Sequence, residues 1–223
     1  MGPAIGEMLP LAVGIAISPI PLIAAILMLL SPRARSTSVG FLVGLLLGIA
    51  LALTVFTLLS SVLPEDESDA ASPIAGVIRI LLGLGLLLLA VRQWRARPAP
   101  GTDPKLPAWM SAIDTMTAGK AFGLAVLLAA VNPKNLLLGA AAGLVLGQAG
   151  VSAGGMVVVG VVFVLLAGCS VLIPVVAYLA AASAMARPLE ALRAWLAHNN
   201  ATVMAVLLLV LGVVLIGKGI AAF

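Results

Sequence analysis

Two short runs hold the residues that could do chemistry inside this chain: Ala16-Ile17-Ser18-Pro19-Ile20-Pro21-Leu22 and Ala130-Val131-Asn132-Pro133-Lys134-Asn135-Leu136. Each sits in the middle of an apolar stretch. A proline removes a backbone donor and clashes with the preceding turn, so both stretches must break their helix where hydrocarbon offers no water to the freed carbonyls. Such breaks persist only against protein or a wet cavity, and a pair of them at equivalent points of two halves marks a transporter's substrate site. Lys134 is the sharpest residue. If its span begins near Lys120, the helical rise puts it roughly 20 Å along, close to the bilayer middle. A charge at that depth costs about 2.5 kcal/mol or more and normally faces an interior cavity. It can pair with carbonyls freed around Pro133, or meet an anionic group of a substrate or a coupled proton, and these roles are compatible. Ser18, Asn132 and Asn135 supply neutral donors and acceptors beside the breaks, serving either orphaned backbone groups or a substrate. The half-helices after Pro19, which Pro21 follows closely, and after Pro133 aim their positive ends at the same depth. The expected site therefore prefers an anion.

The elements that must position these residues are membrane spans. The chain is 63% hydrophobic and 9% charged with a mean hydropathy of +1.26, whereas soluble domains carry about 25% charged residues. Six spans are predicted: Ala4 to Leu30, Val39 to Leu63, Pro73 to Val91, Ala121 to Leu146, Val151 to Ala182 and Ala201 to Phe223. Each reaches the ~20 residues that cross ~30 Å of hydrocarbon. The fifth is over-long, and a kink is expected at its Pro174. The net charge of +4 is no sign of nucleic acid, because the basic residues crowd into alternate loops. Arg33 and Arg35 occupy the first loop; Arg92, Arg95, Arg97, Lys105 and Lys120 the third; Arg187 and Arg193 the fifth. Glu65, Asp66, Glu67 and Asp69 occupy the second. Lys and Arg mark the cytoplasmic side, so both termini are expected outside in a multi-pass plasma-membrane protein, with Trp94, Trp109 and Trp195 at the inner headgroups. No Lys or Arg precedes the first span, so that span is expected to be retained and not cleaved as a signal peptide.

Residues 93–120, rich in Pro and charge, read as a cytoplasmic linker between 1–92 and 121–223, each a three-helix unit. Three spans per half reverse the second half relative to the first, so the fold expected is all-α with two inverted three-helix repeats, the first helix of each broken. Ser18-Pro19-x-Pro21-Leu22 aligns with Asn132-Pro133-x-Asn135-Leu136, and Leu82 to Leu87 echoes Leu211 to Leu215. With its mid-membrane Ser18-Pro19-Ile20-Pro21, its Asn132-Pro133-Lys134 and this layout, the chain resembles the lysine exporter superfamily. Within it the apolar chain and long basic third loop most resemble the peptidoglycolipid addressing protein family of actinobacteria. That resemblance implies an exporter of inverted repeats in a bacterial plasma membrane, often assembled as a homodimer. Amino-acid exporters of the superfamily usually read Gly-Pro-Asn in the first span. The departure at Ser18-Pro19-Ile20-Pro21 favours the lipid-addressing branch.

Other features are bounded more loosely. Arg79, near the outer end of the third span, is expected to snorkel and could pair with Glu7. Gly40, Gly44 and Gly48, and likewise Gly139, Gly143 and Gly147, form small-residue faces for helix packing, with a dimer contact or a surface on which the halves move as the alternatives. Leu189, Leu192, Trp195 and Leu196 recur at helical spacing and suggest a short helix lying on the inner membrane surface. The lone Cys169 and the loop position of His198 argue against a thiol relay or a transition-metal exporter, and no phosphate-binding lysine motif appears. Neither a cofactor nor catalysis is expected. The leading expectation is a secondary exporter or lipid-addressing transporter that moves an anionic or amphiphilic cell-envelope molecule outward by alternating access, in contact with membrane lipids. The alternatives are export of an amino acid or small metabolite, and a membrane assembly factor or integral enzyme for envelope lipids.

Overall fold

The computed structural model describes residues 1–60, 73–97, 113 and 115–223. Glu65, Asp66, Glu67, Asp69, Lys105 and Trp109 lie outside the described residues. Seven α-helices carry the described chain: α1 (Gly2–Ala16), α2 (Pro19–Leu29), α3 (Ala34–Ser60), α4 (Pro73–Arg95), α5 (Ala118–Ala130), α6 (Pro133–Gly147) and α7 (Ala153–Ile220). Three of them, α3, α4 and α7, are each long and apolar enough to cross a membrane. The pairs α1–α2 and α5–α6 meet that standard only together, bent by 56° and 65° at their breaks. Both breaks fall where the prolines require them: Pro19 opens α2 and Pro133 opens α6, in the first turn where a missing N–H costs nothing.

Direction along the bundle follows from the packing. Gly40, Gly44 and Gly48 of α3 meet Ala118, Phe122 and Val126 of α5, and Gly143 and Gly147 of α6 meet Phe56 and Ser60 further along α3. Thus α3 runs parallel to the whole broken pair. A Cβ on Gly44 would collide with the Phe122 carbonyl, so glycine sets how closely these backbones approach. Both small-residue faces are spent inside the chain. Across the bundle, Gly155 of α7 lies by Met1, and Val159 and Phe163 pack with Ile5, Met8 and Ala12 of α1, again parallel. Further along α7 the sense reverses, since Gly14 packs on Leu211 and Glu7 pairs with Lys218. The one non-helical residue inside α7 is Ala181 (φ −146°, ψ 61°), and it divides the element into arms 153–180 and 182–220. The second arm packs antiparallel on α4 through Gly76 with Gly219 and Gly83 with Gly212.

The fifth apolar stretch ends at the Ala181 break, one residue from its expected end at Ala182, and Pro174 lies inside the helix before it. Two expectations are corrected. The separate surface helix around Leu189 to Leu196 does not exist as such: it continues unbroken into the last apolar stretch, with Leu189 and Leu196 buried against the core. Glu7 does not pair with Arg79. Its Oε2 accepts from the Lys218 Nζ at 3.3 Å, while Arg79 donates to the Gln148 side-chain oxygen at 3.4 Å.

Candidate functional site

The break between α1 and α2 creates acceptors that backbone donors cannot satisfy. The Gly14 carbonyl would normally take the Ser18 N–H, which instead donates to Ala16 O at 2.7 Å. The Ile17 carbonyl would take a donor from residue 21, but Pro21 has none. Lys134 fills both vacancies, its Nζ donating to Gly14 O at 2.7 Å and to Ile17 O at 3.3 Å. The ammonium thereby stands at the negative end of α1, where the helix dipole favours a cation. Only 4% of Lys134 is exposed, so its charge is held within the bundle. The carbonyls it holds belong to the other broken helix, not to the turn around Pro133.

The start of α6 is built to present that lysine. Asn132 is the N-cap, its Oδ1 accepting from the Lys134 backbone N–H at 3.0 Å, and Pro133 fixes the first helical residue. Asn135 turns away from Lys134 and serves the second break. Its Nδ2 donates to Leu128 O at 3.4 Å, in the last turn of α5, while its Oδ1 has no partner. Two consecutive side chains thus each reach the carbonyl end of a broken half-helix.

A cavity of about 390 Å³ opens where these parts meet. Ser18, Pro19, Asn132, Pro133 and Lys134 line one side of it, Ser18, Pro19 and Lys134 being buried, with the N-termini of α2 and α6 at its wall. Arg92 and Gln93 from the last turns of α4, with Asn200 of α7, line its mouth. Among the described residues, none that lines it is acidic. Two cations and two positive helix ends around one space make it a receptor for negative charge. Five of the seven expected site residues are therefore brought together. Pro21 and Asn135 are buried outside the cavity wall. Arg92, Gln93 and Asn200 were missed because they sit at span ends, where basic and amide residues usually meet headgroups. The signal available was that Arg92 ends the third span on the side toward which the broken helices open.

Bent membrane-length helices around a buried lysine and a cationic cavity define a multi-pass helical membrane protein with an interior cationic space. The family model described as Sap, sulfolipid-1-addressing protein, matches residues 8–221, and the chain belongs to that family. At that level the resemblance to addressing proteins holds. No curated protein and no solved structure matches the chain.

Proposed function

We propose that the protein is a secondary transporter that moves an anionic envelope lipid, of the sulfated kind named in the family's description, outward across the plasma membrane by alternating access. The observation that carries this reading is the cavity in which Lys134 and Arg92 line one space with no acidic neighbour among the described residues of its wall. A sulfate ester is a fixed anion that such a space receives. A zwitterionic amino acid would need a carboxylate for its ammonium group. The lipid reading is therefore favoured over amino-acid export.

The architecture we infer beneath this mechanism is six spans in two inverted halves. Support comes from the reversal inside α7, which supplies two crossings from one element, and from a recurring arrangement. The arm 153–180 runs parallel to α1 as α3 runs parallel to α5, and α4 lies antiparallel to the arm 182–220. With basic loops inside, the cavity mouth at Arg92 opens to the cytoplasm and both termini lie outside.

The test is reconstitution of the full chain into liposomes carrying a fluorescent sulfated glycolipid in one leaflet. Wild type is expected to move this lipid and to leave its desulfated counterpart in place, and Arg92→Gln is expected to slow the movement without lowering the melting temperature. Equal movement of both lipids, or of neither, would refute the proposal.

A further inference from the structure

Beside the polar cavity lies a second hollow, a groove of about 550 Å³ between α1 and the arm 182–220 of α7. Its walls are apolar: Pro10, Val13 and Ile17 on one side, Val203, Val206 and Val210 on the other. Val13, Ile17, Val206 and Val210 are all exposed, on a face that meets hydrocarbon in a membrane-spanning bundle. The groove and the cavity share both of their walls. On α7, Asn200, Met204 and Leu208 face the cavity, while Val203, Val206 and Val210 on the adjoining face line the groove. Across from them, Ser18 and Pro19 line the cavity, and Gly14 and Ile17, the preceding residues of the same break, line the groove.

Lys134 stands in the partition. Its side chain lines the cavity, and its ammonium is bonded to the carbonyls of Gly14 and Ile17, which belong to the groove. An ammonium has three N–H donors, and these two acceptors leave one for an incoming anion. A comparable groove of about 420 Å³ between α3 and the arm 153–180, lined by Thr54, Leu58, Val157 and Leu165, contains neither of the residues whose carbonyls hold Lys134. Apolar volume alone does not distinguish the two. Contact with the cationic cavity does.

We propose that the groove between α1 and α7 seats an alkyl chain of the same amphiphile whose anionic head occupies the cavity, head and chain passing on either side of the Lys134 contact. This rests on the anionic-lipid reading above and deepens it. From Pro10 to Ile17 the groove follows roughly 10 Å of helix, so it discriminates a long alkyl chain from a short one.

The experiment uses the full chain in phosphatidylcholine nanodiscs and hexadecyl sulfate bearing a photoreactive diazirine midway along its chain. Cross-links are expected to concentrate at residues 10–17 and 203–210, to be displaced by unlabelled hexadecyl sulfate, and to resist displacement by butyl sulfate. Val206→Trp, which fills the groove, is expected to lose them. Should that variant fold poorly, the wild-type cross-link map decides alone. Labelling that is spread equally over Leu47, Leu51 and Leu88, that collects at Thr54 and Leu165, or that cannot be saturated would overturn the proposal, the site then being ordinary bilayer contact. Saturable labelling of the groove without lipid movement in liposomes would refute transport and leave the groove standing. Movement of the sulfated lipid with an unlabelled groove would refute the groove alone.

Discussion

Replacing Lys134 with Met keeps most of the side chain's volume and removes its three donors. The Gly14 and Ile17 carbonyls, held at 2.7 and 3.3 Å, are then left without their donor inside the bundle. An unsatisfied buried acceptor costs about 1–3 kcal/mol, so a destabilisation of about 2 kcal/mol or more is expected, with a lower melting temperature. If the protein begins with roughly 5 kcal/mol of stability, the lower end of that cost leaves about 3 kcal/mol and fewer than about one molecule in a hundred unfolded. A larger cost would unfold a sizeable fraction, so transport is counted per folded molecule. A charge-assisted contact to an anion is worth about 1.5–3 kcal/mol, or about ten- to a hundredfold in affinity, and transport per folded molecule is expected to fall by that order. Lys134→Arg is expected to recover stability better than transport, because a planar guanidinium cannot direct single donors at two carbonyls and a ligand as an ammonium does. The assay measures melting temperature and movement of the sulfated lipid in one reconstituted preparation. A lowered melting temperature with unchanged transport per folded molecule would refute the reasoning and reduce Lys134 to a cap on α1.

Further outcomes can be checked independently. Asn132→Ala removes the cap of α6 and is expected to cost about 1 kcal/mol, read as a lower melting temperature, with Asn132→Asp recovering most of it. Gly44→Leu drives a side chain into the Phe122 backbone and is expected to cost about 3 kcal/mol, or to abolish the folded protein, whereas the same change at Gly119, which has open space around it, is expected to be tolerated. In a Cys169→Ser background, a cysteine at position 67 is expected to react with an impermeant maleimide in intact cells and one at position 97 only after permeabilisation. The opposite pattern would invert the topology.

The breaks were legible in the sequence because proline acts locally: no packing partner alters the missing N–H at Pro19 or Pro133. The burial of Lys134 was legible for a similar reason, since depth along a span follows from counting residues. Its acceptors were not. The sequence points to carbonyls around Pro133, the nearest in the chain, but the ammonium reaches 120 residues back to Gly14, a pairing that only the crossing of α1 and α6 creates. Asn135 follows the same logic, since one residue of helical rotation turns it from the cavity toward α5. The end of the fifth apolar stretch, expected at Ala182, falls beside the break at Ala181, because the run of apolar residues gives out there; that Ala181 itself carries the break was not legible, since alanine is no local signal for one. Arg92 and Asn200 became site residues through the convergence of α4 and α7 at one end of the bundle, which no local pattern encodes.

The parallel packing of α3 along α5 and α6, and of the arm 153–180 along α1, bears on which parts can travel together. The α5–α6 pair leans along its whole length on α3, and α1 leans on the arm 153–180, helices drawn from the other end of the chain. The two ends of the chain are interlaced like clasped fingers, so a hinge drawn between α4 and α5 would tear apart the closest backbone approaches among the described residues, those of Gly40 and Gly44 on α5. Any rocking body must instead be composite, a broken helix from one half moving with its brace from the other. For the same reason neither half expressed alone would find its brace, and separately expressed halves would be expected to recover a working protein only by re-forming the exchange between them.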